Sequence, residues 1–372
     1  MEIKRKDFTV LLEEPTLYVD NESRFRSGHM SHAMAKLGEG KFIDFNSNCS
    51  AVRWDGHSPY GWIEYRISED AGKTYSEIYE LPYSLECFYD GIHTISVEKA
   101  VGLSDGTIVA FCLRNCAYAW GCHSPLSSPM VVRSFDGGKT WDTPYEFCPH
   151  KGRIYDSVYR DGVIYTLFVC GEQWGGRTPE DRFILYKSTD NGASFEEVST
   201  LPIDYLNRGY GALIFDKEGA LHAYALNDKA VCDHDHTVSF DGGKTWSEPD
   251  IIHFEIGLNN PQIGLIDGIF IAHGRSAKCD GYVLYTSLDA VNWDKGTYIA
   301  NKQGLCYYSN HLNLRDEKGE FLLLQYSEVY NDNGESADVA NMAKNIFMGN
   351  NLSRLEKARV NVMHRVLRIE KT

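Results

Sequence analysis

The chain contains no apolar run near the roughly 18 residues that a bilayer-spanning helix needs, so a helical membrane anchor is excluded. It has no Pro/Ser-rich linker and no low-complexity tract, and residues 1–372 are read as one domain. Positive charge is scarce: 37 Lys and Arg face 52 Asp and Glu, a formal charge of -15. That balance excludes the basic face that nucleic acid demands and disfavours an anionic membrane surface. A small acidic substrate is still compatible, because local arginines decide its binding. The start, Met1 to Asp7, lacks an apolar signal segment, so a cytoplasmic location is expected. The ten cysteines are spread along a chain long enough to bury a large core, which favours reduced thiols over a disulfide framework. Cys116, Cys122 and His123 match no zinc-ligand spacing, and neither a metal nor a cofactor is expected.

What the chain does contain is a repeat. Ser-x-Asp-x-Gly-x-Thr-Trp stands complete at Ser134, Asp136, Gly138, Thr140, Trp141 and at Ser239, Asp241, Gly243, Thr245, Trp246. Variants occupy Ser68 to Tyr75 and Ser188 to Phe195, and a shortened copy without the glycine runs from Ser287 to Trp293. Successive copies begin 66, 54, 51 and 48 residues apart, a period that suits four short strands and their turns. In each copy the Asp can accept N–H groups of its own turn, the Gly can supply positive φ, and the aromatic is expected to close over the next strand. Between copies lie short β-branched or apolar runs such as Thr107 to Phe111 and Gly268 to Ala272, each introduced by Asp-Gly or Gly. No long helical periodicity interrupts them.

The repeat resembles the Asp-box of sialidase-like proteins, which lies between the third and fourth strands of a propeller blade. The resemblance implies an all-β, six-bladed β-propeller with four-stranded antiparallel blades. Residues before Ser68 supply one blade and residues from about 305 onward another that lacks a box. The ring is closed by either Phe8 to Leu12 or Met363 to Ile369, and the sequence does not choose between them.

Strand parity then separates scaffold from site. The boxes fall on one face, while the starts of inner strands and the ends of second strands meet in a funnel at the axis on the other. Polar residues at those positions include His29, His32, Asn46, Asn48, His93, Arg114, Tyr155, Asp156, Glu172, Arg208, Tyr210, Asn260, Gln262, Arg275, Asn310 and His311. Such convergence of titratable groups is the condition for catalysis.

Tyr307 to Leu312 resembles the final-blade strand start of sialidases, which carries a nucleophilic Tyr; the matching residue is Tyr308. The resemblance implies that a carboxylate draws the phenolic proton while a second acid protonates the leaving group. Glu172 is the candidate for the first role and Asp55 for the second. The Arg-Ile-Pro opening of sialidases is replaced by His29 to Ala33, so the first arginine of their carboxylate clamp is missing, while Arg275 matches another. These features lead to an expected exo-acting glycoside hydrolase for an acidic or N-acylated sugar. His29, His32, Arg114, Arg208, Arg275, Asn310 and His311 are its candidate substrate contacts. The rival readings are a uronate lyase with His93 or His29 as base, a metal-dependent deacylase using His29, His32 and His93, and a glycan-binding propeller without turnover. The partner expected in each case is a small carbohydrate.

Overall fold

The computed structural model describes residues 1–28, 32–50, 61–116, 127–171, 181–278, 280–301, 307–329 and 360–371. Antiparallel strands fall into six sheets, four of them with four strands each. Their inner strands are His32–Lys36 in blade 1, His93–Gly102 in blade 2, Gly152–Arg160 in blade 3, Arg208–Phe215 in blade 4, Asn259–Ile266 in blade 5 and Ser309–Asp316 in blade 6. Each inner strand neighbours the next, and blade 6 returns to blade 1, so the ring is closed. The protein is a six-bladed β-propeller.

The sequence builds this ring by burying both faces of every sheet. Ile43, Phe45 and Ile63 of blade 1 pack on Ile95, Val97 and Ile108 of blade 2. Phe111 and Val131 of blade 2 meet Ile154 and Phe168 of blade 3, and the same arrangement recurs between each later pair of blades. Strands buried on two sides need continuous apolar runs rather than alternation, and that is how these segments read.

Both termini close the ring. Val360–Lys371 is the third strand of blade 6, Phe8–Leu12 pairs with it as the fourth, and Glu2–Lys4 adds a fifth. The two segments between which the sequence offered a choice therefore both belong to the seam, with the amino-terminal one outermost.

The box chemistry follows the expected turn logic. Asp136 accepts the Thr140 amide at 2.9 Å and its hydroxyl at 2.7 Å, while Ser134 Oγ receives the Gly138 N–H at 2.7 Å. Gly138 and Gly243 adopt φ of 92° and 85°, a conformation that favours glycine. In the shortened copy Ala290 takes the left-handed position at φ 64°. The aromatic differs from expectation: it reaches across to the preceding blade. Trp141 of blade 2 donates to Tyr65 Oη of blade 1 at 3.1 Å, and Trp246 of blade 4 donates to Ser199 Oγ of blade 3 at 2.9 Å. The boxes therefore tie neighbouring blades together as well as turning the chain.

A helix absent from the sequence reading, Pro82–Asp90, sits between blades 1 and 2, with its proline in the first turn and Gly91 in the left-handed region at its end. Among the described residues no helix is long and apolar enough to cross a membrane.

Candidate active site

Four of the six inner strands carry a β-bulge, and the bulges aim side chains at the axis. Pairing skips Glu98 in blade 2, Tyr155 in blade 3, Tyr210 in blade 4 and Asn260–Pro261 in blade 5. A bulge leaves one residue out of the ladder and re-aims it. Here Glu98, Tyr155 and Asn260 line one axial pocket, together with His32 of blade 1, Arg153 of blade 3 and Tyr308 of blade 6. Tyr210 stands edge-on to Tyr155 with ring centres 5.8 Å apart.

Backbone strain gathers at the same place. Tyr210, Asn260 and Tyr307 hold φ of 41°, 53° and 70°, which is uncommon for residues other than glycine. Tyr307 is fully buried and stacks on Tyr282 with ring centres 5.6 Å apart. Its left-handed backbone turns the next residue, Tyr308, from the core toward the axis. The Ser327 pairing on either side, Tyr307 N–H to Ser327 O at 2.8 Å and Ser327 N–H to Tyr308 O at 3.0 Å, fixes that turn.

Two guanidinium groups stand at this end of the axis, Arg153 in the pocket lining and Arg275 over the Tyr308 ring. Arg275 ends the second strand of blade 5, opposite Asn259, and its guanidinium lies 4.8 Å from the centre of the Tyr308 ring. Arg153 pairs with Glu98 at 2.7 Å through Nη2 and 2.8 Å through Nε, and Ser96 donates to the other Glu98 oxygen at 2.9 Å. Burial works against the Arg153 cation, but the Glu98 carboxylate outweighs it and holds the guanidinium above its ordinary range. Burial also pushes the Tyr155 and Tyr210 phenols up, so both remain protonated donors.

The floor of the pocket is a polar layer, to which Lys99, Gln262 and Asn310 belong. Lys99 Nζ donates to Gln262 Oε1 at 2.5 Å and to Asn310 Oδ1 at 3.3 Å, and pairs with Asp156 Oδ1 at 3.1 Å. Asp156 Oδ2 accepts the Leu213 amide of blade 4 at 2.8 Å.

Among the residues singled out from sequence, His32, Arg275, Tyr308 and Asn310 come together at the axis. His29, Asp55 and Glu172 lie outside the described residues. His93 opens the inner strand of blade 2, where Nδ1 contacts Asp90 Oδ2 at 2.9 Å beside the helix end. Arg114 donates to Ser127 at 2.9 Å, and Arg208 is held within its own blade by Asp235 at 2.8 Å. His311 meets His273 at 2.9 Å and lines the cavity at the opposite mouth of the axis. Glu98, Lys99 and Arg153 were missed. The signal for the first two was a charged pair, Glu98-Lys99, interrupting the apolar inner strand between Val97 and Ala100, and Arg153 stood at the start of an inner strand.

Residues 237–248 match the BNR/Asp-box repeat. No curated protein matches the sequence. Among solved structures, a protein of unknown function from Dyadobacter fermentans superposes with a TM-score of 0.69 at 17% identity, over 97% of this chain and 99% of that one. The NanB sialidase from Streptococcus pneumoniae matches with a TM-score of 0.60 at 11% identity, over 96% of this chain and 70% of that one. The phage phi92 endosialidase matches at 0.62 and 10% identity, over 98% and 70%. The fold is the sialidase-like propeller. At these identities the likeness establishes architecture, and chemistry must be argued from the site.

Proposed function

We propose that this propeller is a carbohydrate-active enzyme, an exo-acting glycoside hydrolase that removes a terminal acidic or N-acylated sugar at the axial pocket. One observation carries the reading: Tyr308, turned to the axis at the start of the last inner strand, has the Arg275 guanidinium 4.8 Å from its ring centre. A phenol is neutral, so it can approach an anionic sugar without the repulsion a carboxylate nucleophile would meet. Arg275 and Arg153 supply cations for the sugar's acid group.

In this reading the Tyr308 oxygen attacks the anomeric carbon and gives its proton to a carboxylate, while the bond to the leaving oxygen breaks and that oxygen takes a proton from a second acid. Glu98 is the carboxylate that the described residues bring to the pocket, and it takes the acceptor role first assigned to Glu172. Asp55 is retained from the sequence as the acid. Water then attacks the anomeric carbon and gives its proton to Asp55, while the bond to the Tyr308 oxygen breaks and that oxygen takes its proton back from Glu98. The test is a panel of aryl glycosides of acidic, N-acylated and neutral sugars. Release from the acidic or N-acylated members, and loss of that release in Arg275→Ala, is the expected result; turnover confined to neutral sugars contradicts it.

A second reading draws on His32, which is buried in the same pocket. His32 could take the proton α to a uronate carboxylate, with an arginine neutralising the acid and Tyr308 protonating the leaving oxygen. An ultraviolet-absorbing unsaturated product, in place of the saturated sugar, identifies this route.

A further inference from the structure

Lys99 sits at the centre of the ring. Only 7% exposed, it has three N–H donors and three acceptors: Asp156 of blade 3, Gln262 of blade 5 and Asn310 of blade 6. Asp156 extends the connection to blade 4 through the Leu213 amide. One ammonium group thus joins five blades. Each of the four also stands one or two residues from a pocket residue aimed by a bulge or a turn. Lys99 follows the bulged Glu98, Asp156 follows the bulged Tyr155, Gln262 follows Asn260–Pro261, and Asn310 comes two residues after Tyr308.

We infer that Lys99 is a positioning residue, an axial strut that holds the bulges of blades 2, 3 and 5 and the start of the last inner strand in one register, and so sets Glu98, Tyr155, Asn260 and Tyr308 relative to one another. Its three donors are engaged by these partners at the floor of the pocket, which Lys99 lines together with Gln262 and Asn310. A bulge on its own weakens the local ladder, because the extra residue is unpaired. Four bulges and three left-handed non-glycine residues around one axis need an interaction that crosses between blades, and the Lys99 layer is that interaction. The catalytic consequence rests on the hydrolase reading above; the positional one does not.

The test separates the two. In protein labelled with 13C-tyrosine, Tyr308→Phe, Tyr155→Phe and Tyr210→Phe each remove one ring signal and so identify it. Lys99→Met/Asp156→Asn removes both charges together, leaving no uncompensated buried ion, and Gln262→Met removes one acceptor without touching a charge. Both variants are expected to retain a cooperative melting transition. The signals of Tyr308, Tyr155 and Tyr210 should shift in both, more in the double variant, while those of Tyr65 and Tyr224, whose hydroxyls bond to Gly138 O and Ala290 O near box turns, stay in place. In turnover assays the double variant should lose about a hundredfold in kcat, the scale expected when reacting groups are displaced by about 1 Å. Unmoved site-tyrosine signals in a folded double variant overturn the strut, whatever the activity. A wild-type protein that cleaves no sugar contradicts the reaction, while moved tyrosine signals in the same experiment still support the strut.

Discussion

Oδ2 of Asp44, in the second strand of blade 1, lies 2.8 Å from Nε2 of His364 in the third strand of blade 6, and neither side chain is more than 5% exposed. This contact crosses the seam where the ring closes. Gln325 donates to the same carboxylate, Tyr75 meets His364 Nδ1 at 3.0 Å, and Tyr18 stacks on the imidazole at 4.0 Å. Burial raises the Asp44 carboxyl above its ordinary range, against the opposing pull of His364.

Removing one partner of such a buried pair strands the other. His364→Phe should therefore destabilise the protein by about 3 kcal/mol or more in denaturant titration. Asp44→Asn/His364→Phe should recover part of that loss, because the stranded carboxylate is gone. A single variant as stable as wild type would show that the seam does not depend on this contact.

Acid should weaken the fold before it reaches the carboxylate range. Burial lowers His234 to about 3 and His236 to about 4, the latter also through His222, and it pushes His273 well below its ordinary value. A base depressed in the folded state contributes its full stability above its unfolded value of about 6.5. That contribution is lost as pH falls, because the unfolded chain binds the proton and the folded one does not. Each of the three histidines should cost about 1.4 kcal/mol per pH unit once pH is well below 6.5. Unfolding midpoints measured between pH 7 and 5 should fall steeply, whereas a flat profile across that window contradicts the buried neutral histidines.

The boxes should matter for stability and not for chemistry. Asp136 is held down to about 2 by the Thr140 hydroxyl and amide it accepts, and it lies at the end of a third strand, on the face away from the axial pocket. Asp136→Ala should lower the melting temperature, yet leave turnover per folded molecule unchanged. A normally stable variant with lost turnover would place the box at the site.

Most of the architecture was legible because it depends on local signals. The box repeat marks the third-to-fourth strand turn of five blades, and the apolar runs between copies mark strands buried on both faces. Ring closure was not legible, since Phe8–Leu12 and Val360–Lys371 pair across nearly the whole chain and no local pattern encodes that meeting. At the site, Tyr308, Arg275 and His32 were found by strand parity and resemblance. Glu98 was not, because parity locates strand ends and this side chain is aimed by a bulge within its strand. Arg153, paired with Val169 at the start of its strand, stood where parity looks and was passed over for Tyr155 and Asp156. Arg208, also placed by parity, pairs with Asp235 of its own blade.

Among the described residues, Cys87, Cys112, Cys148 and Cys232 are free thiols. Burial raises Cys87 to about 11 and Cys112 further still, which keeps both protonated and unreactive at neutral pH. Protein prepared without reductant and shielded from air should titrate at least these four thiols per chain after unfolding, with Cys112 alkylated only then. Fewer than four would contradict the reduced state.

In the proposed mechanism the Tyr308 oxygen performs the chemistry in the axial pocket. Tyr308→Phe preserves the ring under Arg275 and removes only the hydroxyl. With a glycoside that the wild type cleaves, kcat should fall by at least about a hundredfold while calorimetric affinity for the sugar changes little. Near-normal turnover in the folded Tyr308→Phe protein would contradict the account and transfer the chemistry to His32.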